Sequence, residues 1–357
     1  MGYEHGNKAR DKIANNLQVY FRRFRNETEL SKEQVLERAS KYLKVIRRTS
    51  PSYSLLMEGV ALGSGFKLLE IVALNVRYEL MYSQFAKIGL RPMTLSDGCT
   101  AFAAEPQAVK NRHLLMVQNW DWIPEVEGLF LKIRDDVGPN VLCFTEAGVV
   151  GGKIGLNSAG LGLLINGLVS NRDNWARLQK PFHVRCWEIL RSRSLRSALR
   201  IINSGKRSCS ANFIVGQQTK LGEGKVVDVE TAPSATQAYT SSTGVVAHTN
   251  HFSDAARLGV EQVVDEERRS TLQRYRRITQ LLDERTKDGG LLDFRCSRSM
   301  LRDHDGRPES VCRHPNSRLL PDERYCTVVS VVMDLYRKRL EATIGSPCET
   351  EYQTLVL

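Results

Sequence analysis

Nowhere in this chain do about 18 apolar residues run together, which excludes a membrane-spanning helix of ordinary length. The N-terminal stretch Met1-Gly2-Tyr3-Glu4-His5-Gly6 has no apolar signal-peptide core, and Gly6 stands where a myristoylation pattern needs Ser or Thr. The eight cysteines include no CxxC pair, a usage that suits reduced thiols inside the cell better than a disulfide framework. The C-terminal Leu355-Val356-Leu357 is not a Ser-Lys-Leu peroxisomal address, so an intracellular, cytoplasmic rather than peroxisomal location is expected. Internal repeats and low-complexity linkers are missing, and Gly151-Gly152-Lys153 lacks the framework of a phosphate loop. Strands and helices do not alternate as βαβ units, which argues against a doubly wound sheet.

What is present reads as an ordinary globular composition, with 41% hydrophobic and 25% charged residues in 357, enough to bury a substantial core. The net charge of +11 comes with basic runs such as Arg22-Arg23-Phe24-Arg25 and Arg191-Ser192-Arg193. No nucleic-acid motif accompanies them, so nucleic acid is not an expected partner. Solvated helix faces explain such runs, and the same field would attract a phosphate-bearing small molecule such as a coenzyme A thioester.

Residues 7–90 read as helical. Ile13, Leu17, Phe21 and Phe24 recur at helical spacing, and Ser31-Lys32-Glu33-Gln34 is a capping box opening a second helix that Pro51 stops. A third helix is expected over 68–82, followed by a loop over 87–98. Beyond residue 99 the period changes to short β-like runs over 114–119, 129–134, 141–145 and 161–165. A helix over 181–204 follows, then strands over 211–215, 225–229 and 245–249, and a helix over 264–283. The polar stretch 284–320 reads as irregular, and 325–335 with 339–344 as a closing hairpin. Helices, strands, helices and strands in blocks predict an α+β layered fold.

Cys99 sits at the junction between the helical and β-rich parts, in Asp97-Gly98-Cys99-Thr100. It is either a small buried hydrophobe or a nucleophile. As a new N-terminus it would carry its own base, because an α-amine titrates near 8 beside the thiol. Attack of that thiol on the Gly98 carbonyl would create the N-terminus, and glycine admits the backbone geometry this demands. Asp121, in Gln118-Asn119-Trp120-Asp121, either closes a turn or orients the amine. Asn250, in His248-Thr249-Asn250-His251, is a turn residue or an oxyanion donor. Arg313 is a surface charge or a carboxylate clamp. His248 and His251 lack a third metal ligand, and His304, Cys312 and His314 lack zinc-site spacing.

Together these segments resemble the acyl-coenzyme A:6-aminopenicillanate acyltransferase family of cysteine N-terminal nucleophile (Ntn) hydrolases. The matching stretches run nearly the whole chain: Gly2 to Gly6, Ile71 to Glu79 with Asn75 and Arg77, Asp97 to Thr100, and Gln118 to Trp122. Phe144 to Gly148, Asn157 to Gly160, Asn166, His248 to His251 and Cys312-Arg313 continue it. The resemblance implies a four-layer αββα sandwich, cut between Gly98 and Cys99 into a helical α chain (1–98) and a β chain (99–357) that stay together as a heterodimer. It also implies Cys99 as nucleophile, Asp121 as support for its amine, Asn250 as oxyanion donor, and Arg313 as the active-site arginine. Asn166, Trp122 and Trp175 are expected in substrate binding. The implied reaction moves an acyl group from an acyl-CoA-type thioester or an amide to an amine through a Cys99 thioester, in secondary-metabolite (β-lactam-like or other amide) biosynthesis, with an amidohydrolase or a non-catalytic binding protein as alternatives. No resident cofactor or metal is expected, acyl-coenzyme A entering as co-substrate. Serines of the family's type member are matched here by Ala232 and Val311.

Overall fold

The computed structural model describes residues 1–88, 98–263 and 269–357. The loop expected over 87–98 falls mostly on 89–97, outside the described residues. Six helices occupy the first part: α1 (Gly2–Lys8), α2 (Arg10–Thr28), α3 (Lys32–Thr49), α4 (Pro51–Ser64), α5 (Leu68–Asn75) and α6 (Arg77–Ile88). The Ser31 capping box is formed, and Pro51 takes the first turn of α4, where its missing N–H costs nothing.

The helix expected over 68–82 is divided at Val76 into α5 and α6, and every hydrogen-bonding position of the Asn75 amide beside the break is filled. Its Oδ1 accepts from the Tyr53 hydroxyl (2.7 Å) and the Val150 N–H (2.9 Å), and its Nδ2 donates to the Ile71 and Gly148 carbonyls (2.8 and 2.9 Å). Likewise the stretch 181–204 is two helices, α7 (Phe182–Leu190) and α8 (Leu195–Asn203), with Asn157 capping the carbonyls of Leu190 and Ser192 between them.

Two antiparallel sheets follow. One has the order β10-β1-β2-β11-β12-β13 and the other β3-β4-β5-β6-β7-β8-β9, a simple meander. Their strands are β1 (Gly98–Ala104), β2 (Leu115–Trp122), β3 (Gly128–Ile133), β4 (Val141–Glu146), β5 (Ile154–Asn157), β6 (Leu161–Gly167), β7 (Ala211–Lys220), β8 (Glu223–Ala232), β9 (Ala235–Tyr239), β10 (Val245–His248), β11 (Cys326–Asp334), β12 (Arg339–Ile344) and β13 (Gln353–Val356). The sheets stack face to face, with β1 and β2 against β6. Gly162 and Gly216 make room there, since a Cβ on either would meet Met116 of the facing sheet. Helices α7 and α8 cover the outer face of the seven-stranded sheet. α9 (Arg269–Thr286) and α10 (Phe294–Leu301) cover the six-stranded one. This is the αββα sandwich, an α+β fold; α10 lies within the stretch read as irregular.

The Gly2–Gly6 motif explains itself in the crossing of α1 and α4. A Cβ on Gly6 would lie 2.3 Å from the Val60 carbonyl oxygen, and one on Gly63 2.1 Å from that of Tyr3. Between the glycines, burial pushes the His5 imidazole down to about 4, so its neutral Nε2 accepts the Gly148 N–H at 3.2 Å. Alanine gains roughly 1 kcal/mol of helix propensity over glycine, but the atoms it meets here are backbone and cannot yield. Gly6→Ala is therefore expected to destabilise the protein by about 1–3 kcal/mol in urea unfolding, against the propensity scale.

Candidate active site

The β1–β2 register sets the site. Gly98 lies opposite Asp121, Cys99 opposite Trp120 and Thr100 opposite Asn119. Opposed residues share a face of the sheet and successive ones alternate. Gln118 and Trp120 face the other sheet, Gln118 donating to the Ile165 carbonyl, and Cys99 points with them. Asn119 and Asp121 face the helical layer, where Asn119 holds the carbonyls of Leu301 (2.9 Å) and Val311 (2.8 Å). Cys99 thus reaches a narrow cavity that it lines with Arg77, Tyr82, Trp120, Trp122 and Lys153.

The backbone of Cys99 is gripped from both sides. Its N–H donates to Asn250 Oδ1 at 2.6 Å, and its carbonyl accepts from Arg274 Nη1 at 2.5 Å. Arg274, on α9 and only 1% exposed, also donates to Thr100 Oγ1 (3.1 Å) and to Asn250 Oδ1 (3.1 Å). Two donors on one oxygen fix the orientation of the Asn250 amide. Its Nδ2 donates to the Gly167 carbonyl at 3.2 Å with one hydrogen, leaving the second for another acceptor.

On the opposite face, Asp121 is fully buried. Its Oδ1 accepts from Thr327 Oγ1 (2.7 Å), and its Oδ2 has no hydrogen-bond partner among the described residues. Burial pushes the Asp121 carboxyl up to about 6, with Arg274 and Arg313 pulling the other way. The same Thr327 hydroxyl accepts the Arg313 N–H (3.0 Å), and the Thr327 N–H returns to the Arg313 carbonyl (3.0 Å). Arg313 pairs with Glu309 and sits 5.7 Å from the Tyr325 ring centre. Gly98 is wedged between them: a Cβ there would lie 2.7 Å from both Asp121 Oδ2 and Arg313 Nη1.

Under the cavity lies a buried charge cluster. Glu146 accepts from Arg77 Nε (2.9 Å), Lys153 Nζ (2.5 Å) and the Tyr20 hydroxyl, which in turn accepts from Trp122 Nε1 at 2.7 Å. Although burial works the other way, Arg77 and Lys153 hold the Glu146 carboxyl well below the carboxylate range. Burial drags Lys153 down to about 7 against the pull of Glu146, and its ammonium sits 3.1 Å over the Trp120 ring centre. Lys153 and Arg274 both lie within electrostatic reach of the Cys99 sulfur.

Residues 108–349 match the model of the acyl-coenzyme A:6-aminopenicillanic acid acyl-transferase family. The chain belongs to that family. It is 28% identical over 256 residues to the 40 kDa form of acyl-coenzyme A:6-aminopenicillanic-acid-acyltransferase of Emericella nidulans, a match spanning 70% of this chain and 66% of that protein. Among solved structures, it is similar to the Caenorhabditis elegans ortholog of N-acylethanolamine-hydrolyzing acid amidase (TM-score 0.48, 14% identity, 72% of this chain and 100% of that one). A mutant conjugated bile acid hydrolase from Clostridium perfringens matches with TM-score 0.44 and 13% identity, over 72% of this chain and 97% of that one.

The structure brings Cys99, Gly98, Asp121, Asn250 and Arg313 together, and places Trp122 in the cavity wall. Asn166 and Trp175 go elsewhere. Asn166 donates to the His248 carbonyl (3.3 Å) and accepts from Asn212 (3.5 Å), tying the sheets, while its neighbours Ile165 and Gly167 line the cavity. Trp175 is not among the cavity-lining residues; its ring packs against Arg38 and Lys41 of α3, at 4.3 and 5.4 Å. Its aromatic face is taken by those cations. His248 and His251 serve separate partners, His248 Nε2 meeting Glu230 at 3.0 Å and His251 Nδ1 the Thr249 and Thr271 hydroxyls at 3.0 Å.

Sequence reasoning missed Arg274, Glu146 and Lys153 as site residues. Glu146 is the carboxylate paired with both buried cations, so its removal strands both. Glu146→Gln is expected to cost about 3–5 kcal/mol of stability, measured by urea unfolding at pH 7.

Proposed function

We propose that Cys99 is released by self-cleavage after Gly98 and then carries acyl groups as a thioester. The observation that supports this reading best is the convergence on one peptide bond: Asn250 and Arg274 hold the Cys99 side, while Asp121 and Arg313 crowd the Gly98 side. In the first step the Cys99 thiol attacks the Gly98 carbonyl carbon, forming a C–S bond as the C–N bond breaks, and the Cys99 nitrogen takes up the thiol proton. Water then hydrolyses the thioester, leaving a Gly98 carboxylate on the α chain (1–98) and a free α-amine on the β chain (99–357). The two remain a heterodimer because one continuous apolar core joins Tyr20 and Leu74 to Trp120 and Val331.

The freed amine stands next to the thiol, titrates near 8, and removes its proton. Asn250 Oδ1 already accepts from this nitrogen, and Asp121 Oδ2, beside Gly98, is a buried acceptor without a hydrogen-bond partner among the described residues. The thiolate, in the field of Lys153 and Arg274, attacks the acyl carbonyl of a thioester such as acyl-coenzyme A, or of an amide. The spare Asn250 Nδ2 hydrogen donates to the oxyanion. The leaving group departs with the proton, and an amine attacks the acyl-enzyme to give an amide and restore the thiol.

Membership of the family supports acyl transfer or amide hydrolysis as the chemistry. Transfer to an amine, in a biosynthetic step on a small molecule, is the reading favoured here, since Lys153 and Arg77 give the cavity a cationic floor suited to an anionic thioester or acid. Water as acceptor gives the hydrolase. Incubation with an acyl-coenzyme A alone is expected to add one acyl group to the Cys99 peptide, seen by mass spectrometry, and addition of an amine to discharge it; an unlabelled Cys99 would contradict the reading. The group that supports the amine is a carboxylate only above about pH 6, so kcat/KM is expected to fall as pH drops through about 6, and Asp121→Asn to lose that limb together with most activity. Steady-state assays across that range check it.

A further inference from the structure

Four side chains outside the catalytic cluster meet at one point: His304 after α10, Cys312 and His314 before β11, and Cys348 in the turn after β12. Their ligand atoms all lie within 4.8 Å of one another. His304 Nε2 is 3.1 Å from His314 Nε2. Cys312 Sγ is 3.7 Å and Cys348 Sγ 3.4 Å from the same His314 nitrogen, and the two sulfurs are 3.5 Å apart. We infer that these four residues bind one zinc ion, in a tetrahedral Cys2His2 site that ties three loops together.

The distances carry the inference. With Zn–S near 2.3 Å and Zn–N near 2.0–2.1 Å, a tetrahedron has edges of roughly 3.3 Å between nitrogens, 3.6 Å between nitrogen and sulfur, and 3.8 Å between sulfurs. Four of the six edges, His304–His314 and the three among His314, Cys312 and Cys348, fall within a few tenths of an ångström of these values, and the two from His304 to the sulfurs lie within 4.8 Å. The sulfurs are too far apart for a disulfide, whose S–S bond is about 2.05 Å. Two thiolates and two imidazoles in tetrahedral disposition select zinc over harder cations. His314 Nδ1 also has the Glu349 carboxylate at 3.5 Å, the kind of outer partner that fixes a ligating imidazole. The sequence spacing of His304, Cys312 and His314 does not read as a zinc site because the fourth ligand, Cys348, lies 34 residues beyond His314 and arrives only with the β11–β12 hairpin.

The site's place gives it a task. Cys312 and His314 flank Arg313, whose guanidinium turns the other way toward Gly98. Backbone bonds pin the same segment, Cys312 N–H to the Asp303 carbonyl (2.9 Å) and His314 N–H to that of Pro308 (3.1 Å). Metal bound on both sides of Arg313 would hold it against Asp121 without touching substrate, making this a structural and positioning site.

The test is metal analysis of the full chain, purified with reductant and without chelator. About one zinc per chain is expected in the parent protein and in Cys296→Ser, falling below roughly 0.2 in Cys348→Ser and His304→Ala. Cobalt added to metal-stripped parent protein is expected to give the visible d–d and thiolate charge-transfer bands of a tetrahedral site, a readout that needs no folded variant. Parent protein that takes up neither zinc nor cobalt overturns the inference, as does Cys348→Ser that keeps its zinc or a Cys312–Cys348 disulfide in the non-reduced peptide map.

Discussion

The antiparallel pairing of β1 with β2 is the constraint on which the rest of the site depends. Gly98 opposite Asp121 and Cys99 opposite Trp120 send two consecutive residues to two different environments. Cys99 enters the apolar, cation-floored cavity between the sheets, and Gly98 presses against the buried carboxylate and Arg313 on the helical side. A slip of one residue would exchange the two and dismantle both. The register is held by the neighbours of β2: Gln118 bonded across the sandwich to Ile165, Asn119 bonded to the α10 end and to Val311, and β11 paired along the other edge.

Burial is the theme of the electrostatics. Asp121, Glu146, Lys153, Arg274 and Arg313 are all at most 1% exposed, and none of them could be charged in such surroundings without the others. Glu146 absorbs the two cations beneath the cavity, whereas Asp121 is left with one satisfied oxygen and two arginines at longer range. Desolvation brings Asp121 and Lys153 to about 6 and about 7, within reach of neutrality, where proton chemistry takes place.

Much of this was legible before any coordinates. Alternating apolar runs located β2, β4, β6 and the β11–β12 hairpin, and the capping box at Ser31 opened α3 at the right residue. Cys99, Asp121, Asn250 and Arg313 stand out by their company in familiar segments rather than by spacing, and the structure places them close together. What escaped was long-range. Arg274 is one of several arginines in an amphipathic helix, and only the docking of α9 on β1 buries it while Arg276 and Arg277 stay more open. Lys153 follows two glycines in a turn and declares itself only through Glu146 and Trp120. Trp175 stands outside the cavity lining, its ring held by Arg38 and Lys41 from successive turns of α3, a contact that sequence spacing does not reveal.

The most direct test of the central claim is the intact mass of the purified protein under denaturing conditions, with N-terminal sequencing of each species. Two chains, one of them beginning at Cys99, are the expected result, and would show that the crowded Gly98–Cys99 bond is the one the site is built to break. A single uncut chain after prolonged incubation at neutral pH would contradict the claim, leaving Asn250, Arg274 and Asp121 as supports of an intact strand.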